Sequence, residues 1–317
     1  MEDLTLDITA AICTYNRYDL LPEAIDSARR QTLAPERAEV IVVDNTPDAA
    51  RSREEAARFE GLPNFRWVHE TRSGLSNARN VATRHARGAI LAFLDDDAVA
   101  DPDWLESLVE AYEAFGPELA VCGGPVRPRW GAPRPDWLGD EMLGPLSVVD
   151  LGRERRLVAE GEWLAGANIS FRTEALRRFG GFDVALGRNG SGAALMSNEE
   201  TELTNRIKAA GLLVGYEPRA AVEHWIDPAR LNQAWFRRRA AWQAVSAYVL
   251  DPEARLAQRD RSWQAVKDYL LSRRPADRSL RALALEQEGA GDFRWQVSAV
   301  YNAVTCLLAG LDERDDL

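Results

Sequence analysis

Lysine is nearly missing from this chain: Lys208 and Lys267 are the only two among 39 basic residues in a total of 317. Arginine carries the rest, a bias we read as genomic base composition rather than chemistry. No basic tract offsets the formal net charge of -11, so nucleic-acid binding is not expected. Cysteine is scarce as well. Cys13, Cys122 and Cys306 form no CxxC pair, which argues against a disulfide framework and against a structural zinc site. No apolar run reaches the roughly 18 residues of a membrane-spanning helix. The acidic start, MEDLTLDITA, has none of the features of a secretory signal. A cytoplasmic protein is therefore expected, with peripheral contact to the inner membrane face left open. What is present is an ordinary globular balance, 46% hydrophobic and 28% charged, enough for a large domain with a smaller appendage.

The first half alternates strand and helix signals. Leu6 to Cys13, Ala38 to Asn45 ("AEVIVVDN"), Phe65 to Glu70 and Ala89 to Leu94 read as strands. Between and after them, Leu20 to Gln31, Arg51 to Glu60, Ser76 to Ala86 and Asp103 to Phe115 read as helices, with caps expected at Asp19 and Asp103 and a stop at Gly88. Such alternation implies an α/β fold with a mostly parallel sheet covered on both faces. Ligands in these sheets bind at the carboxyl ends of strands. Three polar clusters fall there: Thr14 to Arg17, Asp44-Asn45 and Asp95-Asp96-Asp97. The middle, Gly123 to Asp140, is rich in Pro, Gly and Trp, and from Asn232 onward helical patterns dominate.

The three consecutive carboxylates ask for an explanation, because repulsion and desolvation both oppose them. A solvated turn is the plain reading. A site for Mg²⁺ or Mn²⁺ is the functional one, since hard cations take a few carboxylates together with phosphate oxygens. The companion strand ends fit a nucleotide: Asp44 as acceptor for a base N–H, Thr14, Asn16 and Arg17 for base, ribose or phosphates, and Arg79 within reach of base or phosphate. A group transfer to a hydroxyl at such a site would further need a carboxylate to take the proton. Glu199, Glu200 and Glu202 open a helix where the dipole favours negative charge, which is also a purely structural arrangement.

The ordered set "ICTYNR", "VVDN", "GLSNARN", "FLDDDA", "GANISFRTEAL..FGGFD", "NEETEL..RIKAAG" and "VEHW" resembles family 2 glycosyltransferases, from about Ile8 to Trp225. The resemblance implies the GT-A fold, a Rossmann-like mixed sheet flanked by helices. It divides the chain into a catalytic domain, residues 1–229, and a helical C-terminal extension, residues 230–317. Within the former, 1–122 would bind nucleotide and metal and 123–229 the acceptor. It further implies inverting transfer from a nucleotide-diphosphate sugar, with Mn²⁺ or Mg²⁺, to a hydroxyl of a glycan, lipid-linked or small-molecule acceptor. By resemblance, Asp44 contacts the base, and Thr14, Asn16, Arg17 and Arg79 line the nucleotide pocket. Asp95 and Asp96 hold ribose and sugar, and Asp97 is the main metal ligand, with His224 completing the shell. Glu199-Glu200 stands where the family usually has Glu-Asp or Asp-Asp after a Gly, here Asn198; Glu200 would be the base, with Glu199 the other candidate. Trp163, Gly166, Ala167 and Asn168 would build the donor-sugar and acceptor pocket, with Trp130 and Trp137 as further acceptor contacts.

Two other classes compete. A sugar-phosphate nucleotidyltransferase shares the frame, but "ICTYNRYDLL" has no glycine for a triphosphate loop. A sugar-nucleotide-binding scaffold without catalysis would not need both acidic pairs. In the extension, "WFRRRAAWQAVSAYVL" places Trp235, Arg237, Arg238, Arg239 and Trp242 on one helix. Packing on the catalytic domain is the expectation, and a homodimer or a rest on anionic lipid remains open.

Overall fold

The computed structural model describes residues 6–190, 194–286 and 288–315. Residues 1–5 of the acidic start and 191–193 of the Gly/Ser/Asn loop lie outside the described residues. Two compact units divide the chain. One comprises Met1–Arg129, Ser147–Ser191 and Glu199–Trp225; the other comprises Trp130–Leu146, Gly192–Asn198 and Ile226–Leu317.

The first unit opens with strands and helices in alternation: β1 (Leu6–Thr14), α1 (Leu21–Arg29), β2 (Ala38–Asp44), α2 (Ala49–Ala57), β3 (Phe65–His69), α3 (Leu75–His85) and β4 (Gly88–Asp95). There follow β5 (Ala98–Ala100), α4 (Trp104–Phe115), β6 (Leu119–Gly123), β7 (Val126–Trp130), β8 (Arg156–Leu157), β9 (Asn168–Arg172), α5 (Thr173–Arg178), α6 (Glu199–Ala209), β10 (Leu213–Tyr216) and β11 (Val222–Ile226). The main sheet has the order β3-β2-β1-β4-β9-β6-β10-β8. It is parallel from β3 to β4, and β9 then runs antiparallel to both β4 and β6. A mixed α/β sheet of the expected class results.

The continuous apolar strands follow from burial on both faces. On one side Ile8, Ala10, Ile12, Val40, Val42 and Leu94 pack with Leu21, Ile25, Leu105 and Leu108 of α1 and α4. On the other, Ala11, Ile41, Val43, Leu91 and Phe93 pack with Ala78 and Val81 of α3 and with Leu203 and Ile207 of α6. Successive residues of one strand point to opposite faces, so the buried apolar positions of β1 and β2 find a core on either side.

Three local expectations change. Gly88 does not stop a helix: Ala86 caps α3, and Gly88 begins β4. A Cβ at Gly88 would lie 2.3 Å from the backbone nitrogen of Thr9, so only glycine lets β4 approach β1 there. Leu20 rather than Asp19 is the N-cap of α1, and no side chain caps it. The first turn starts with proline instead, whose missing N–H needs no cap. Asp103 does hold the N-cap position of α4, but without a side-chain bond to the helix N–H groups.

A second, three-stranded sheet has the order β5-β11-β7. Its β5–β11 pairing sets Ala98 opposite His224, which matters for the site below.

In the second unit, α7 (Gln233–Leu250), α8 (Pro252–Ala257), α9 (Arg259–Ser272), α10 (Leu280–Leu285) and α11 (Ala290–Asp315) follow one another. Asn232 caps α7, its side chain accepting from the Trp235 N–H at 2.9 Å. Trp137 packs edge-on against Phe236 and Phe293, at ring distances of 5.3 and 4.9 Å. Arg237, one of the arginines in the aromatic-basic segment, faces inward. It is buried and donates to the Glu286 carbonyl and the Gln296 side chain, so it is no part of an exposed basic face. Among the described residues, no helix is long and apolar enough to cross a membrane.

Candidate active site

Register brings the strand ends together. In the β1–β2 pairing Thr14 lies opposite Asp44, and in the β1–β4 pairing Cys13 lies opposite Asp95. The chain then turns through Asp96 and Asp97 into β5. Trp225 donates its backbone N–H to the Asp97 carbonyl at 2.9 Å, which locks this turn to β11. The neighbouring His224 is thereby held against Asp97, Nε2 to Oδ1 at 3.2 Å.

The carboxylates do not face one another unrelieved. Thr14 donates to Asp96 Oδ2 at 2.8 Å, and Arg17 spans Asp96 Oδ1 at 3.2 Å and Asp97 Oδ2 at 2.6 Å. Burial works against the Arg17 charge, yet Asp96 and Asp97 outweigh it and raise its pKa above the ordinary guanidinium value. Burial pushes Asp96 up to about 7, against the pull of Arg17. Asp95, Asp97 and His224 each offer one ligand atom, and these atoms all lie within 4.8 Å of one another. Two carboxylates and an imidazole with room left for diphosphate oxygens suit Mn²⁺ well, and Mg²⁺ less so because of the nitrogen donor. The residues present therefore fit a divalent cation. The sequence had assigned Asp95 to ribose and sugar; its place in this cluster depends on how the β4 end faces His224, which spacing along the chain does not reveal.

Glu199 and Glu200 open α6 in the same unit. The backbone before them takes a left-handed turn: Asn198 has φ 76°, a conformation that glycine and asparagine adopt most readily. The replacement of the family's usual Gly by Asn is thus conservative for the backbone. Glu199 is buried and its Oε1 accepts from Arg79 at 2.8 Å. Arg79 itself is buried, donates its other arm to the Gly166 carbonyl at 3.1 Å, and stands 3.8 Å from Asp95. Phe93 and Phe182 flank its guanidinium at 5.6 and 5.4 Å. One oxygen of each glutamate, Glu199 Oε2 and Glu200 Oε2, is buried without a hydrogen-bond partner. Burial, reinforced by the charge of Glu199 and opposed by Arg79, raises Glu200 to about 8.

The remaining sequence candidates have varied surroundings. Asp44 is fully buried and accepts from the Tyr18 hydroxyl at 2.8 Å and the Thr46 N–H at 3.0 Å. Asn16 is exposed at φ 56°, and its side chain accepts from Arg51 at 3.0 Å. Gly166 and Ala167 form the turn beside Arg79. Asn168 is wholly engaged inside the fold. Its oxygen accepts from the Trp104 indole at 2.8 Å, and its nitrogen donates to the Pro125 and Ala220 carbonyls at 3.0 and 2.7 Å. Trp163 is exposed. Trp130 and Trp137 belong to the second unit, where Arg134 lies over Trp130 at 5.8 Å. Sequence reasoning missed Tyr18 and Thr46, although both sit within four residues of motif positions. It also missed the Arg79–Glu199 pair, whose partners are 120 residues apart and carry no local signal.

Comparison with known proteins follows the same lines. The model described as "Glycosyl transferase family 2" matches residues 9–143. The succinoglycan biosynthesis protein ExoM of Rhizobium meliloti is 32% identical over 246 residues, covering 75% of this chain and 73% of that protein. A glucosyl-dolichyl phosphate glucuronosyltransferase of Haloferax volcanii is 27% identical over 248 residues, 78% of each chain. Among solved structures, the mannosyltransferase PcManGT from Pyrobaculum calidifontis, in complex with GDP-Man and Mn²⁺, superposes with a TM-score of 0.58 at 22% identity. That match covers 99% of this chain and 89% of the other. S. aureus TarS residues 1–349, in complex with UDP, gives 0.54 at 15% identity, with 98% and 92% covered.

Proposed function

The chain belongs to glycosyl transferase family 2 and is a glycosyltransferase of GT-A fold, and on that premise we propose that it transfers a sugar with inversion, from a nucleotide-diphosphate donor to an acceptor hydroxyl, with Glu200 as general base. The observation that carries this reading is the pairing of two unlike carboxylate groups in one unit. Asp95, Asp97 and His224 bring their ligand atoms within 4.8 Å of one another, and Glu199-Glu200 has buried, partnerless oxygens. A divalent cation bound to the first group supplies charge neutralisation for the departing diphosphate. Arg17, 43% exposed at its side chain, bridges Asp96 and Asp97 and would meet a diphosphate held beside them. Glu200 takes the proton of the attacking hydroxyl, and its raised pKa makes it a stronger acceptor than an exposed glutamate once ionised. Because the diphosphate occupies one face of the anomeric carbon, attack comes from the other, and the configuration inverts.

A uridine or thymidine donor is the favoured class, since the Asp44 carboxylate suits the imide N–H that uracil and thymine share. In the present structure Tyr18 and Thr46 already use that carboxylate, so base reading requires this small network to open or to present Tyr18 and Thr46 themselves. The ring of Trp163 suits the C–H face of a sugar.

Calorimetric titration of UDP, TDP, GDP and CDP, each with and without Mn²⁺, tests the reading on wild type and Asp97→Ala. Tight binding of one diphosphate that needs Mn²⁺ and weakens at least about tenfold in the variant is the expected result. Failure of well-folded wild type to bind any of the four would overturn it.

A further inference from the structure

Arg79, expected at the nucleotide pocket, has contacts in the structure that suit a further role. Its guanidinium is buried between two aromatic rings, with one arm on Glu199 and the other on the Gly166 carbonyl. Resting on the reading of the Glu199-Glu200 pair as the site of proton transfer, we propose that Arg79 is a positioning residue that divides labour within that pair. It holds Glu199 as a fixed counterion and leaves Glu200 as the proton acceptor.

Four observations converge on this. First, the contact is one-sided: Arg79 Nη1 bonds Glu199 Oε1, and no hydrogen bond joins Arg79 to Glu200. Second, a buried cation is costly unless its donors are used. Buried Arg79 uses one arm on the Glu199 carboxylate and the other on the Gly166 carbonyl. Third, the protein makes room for the guanidinium. A Cβ at Gly166 would stand 2.7 Å from Arg79 Nη2 and push the arm off its carbonyl. Fourth, the same cation stands 3.8 Å from Asp95, so the base pair and the donor end share one fixed charge. Two adjacent glutamates alone would contest a single proton. Each keeps one partnerless oxygen, but a cation fixed on Glu199 alone breaks that symmetry and leaves Glu200 as the one to take the hydroxyl proton.

The test is steady-state turnover of the donor diphosphate found by titration, as its sugar nucleotide, with transfer to water as the readout. It is run from pH 6 to 9 on wild type, Arg79→Lys, Arg79→Gln, Glu199→Gln, Glu200→Gln, Gly166→Ala and the double variant Arg79→Gln/Glu199→Gln. Thermal melting checks that each variant is folded. Arg79→Gln is expected to lower kcat about 100-fold with donor KM changed less than about threefold, as befits a lost orientation. Its acidic limb moves to higher pH, since the cation no longer opposes protonation of Glu200. Arg79→Lys recovers part of kcat. Gly166→Ala, which leaves all three charged groups in place, moves kcat and the limb in the same direction by a smaller amount. Removing Glu199 as well removes the buried charge left without its counterion, so the double variant is no worse than Arg79→Gln alone. A loss in KM with kcat and the pH limb unchanged would make Arg79 a donor ligand and overturn the inference. So would a Glu199→Gln variant as inactive as Glu200→Gln. Wild type that binds the diphosphate but turns over no sugar nucleotide would overturn the base assignment and this inference together.

Discussion

The fold treats two of the first unit's runs of adjacent carboxylates, Asp95–Asp97 and Glu199-Glu200, differently. Asp96 and Asp97 are surrounded by partners: Thr14 and His224 each reach one of their oxygens and Arg17 reaches two. Of the two glutamates only Glu199 is bonded by the buried Arg79, and each keeps one partnerless oxygen. The lesson is in the degree of satisfaction. A carboxylate group that is fully partnered holds something in place. One that is buried and under-partnered stays reactive, because a proton is the cheapest partner it can acquire.

The largest effect expected of breaking this contrast is at Glu200. Glu200→Gln lowers turnover by about 10³-fold, the range of a lost general base, while diphosphate binding stays within about twofold. A variant that keeps more than a tenth of wild-type turnover would move the base elsewhere.

The second effect is a pH signature of the same residue. As the proposed base, Glu200 would act only when ionised, and burial lifts its pKa to about 8. In wild type, kcat/KM therefore rises with pH and levels off above that value; a flat profile from pH 6 to 9 contradicts the assignment. Stability moves the opposite way. The folded state binds the Glu200 proton more tightly than the unfolded state does, so stability is lost as pH rises from the ordinary carboxylate range through about 8. Glu200→Gln has no such loss, and it melts higher than wild type at pH 9 but not at pH 4.

A third, smaller effect tests the partnered side. His224→Ala removes one member of the cation cluster and weakens Mn²⁺ binding about tenfold, measured by calorimetry with Mn²⁺ alone. An unchanged affinity would leave His224 a structural partner of Asp97.

The smallest belongs to Thr14. Thr14→Val removes the bond to Asp96 in a buried setting and costs about 1 kcal/mol of stability by denaturant unfolding, with diphosphate affinity nearly unchanged. A stability loss far above that would mean that Asp96 depends on Thr14 more than on Arg17.

Much of this was legible in the chain. The strands β1, β2 and β4 announce themselves because burial on both faces forces unbroken apolar runs, and their polar ends then stand out. Asp95, Asp96 and Asp97 follow directly, and so does Glu199-Glu200 once the motif order is seen. Other residues were visible but misread. Gly88 looked like a helix stop, because the same lack of a Cβ serves a helix end and a close strand approach. Asn168 stood in a motif beside the expected sugar pocket, yet its amide is fully spent on Trp104, Pro125 and Ala220.

By itself, then, the sequence determined the α/β frame, the family and the identity of the acidic groups, because periodicity and short motifs are local properties of a chain. The tertiary structure alone decided how those groups share their charges. It set Asp95 and Asp97 around a point with His224, gave Arg17 to the aspartates and reserved Arg79 for Glu199. Charges interact through space at a few ångströms, and residues 120 positions apart reach that distance only when the sheet and helices have closed around them.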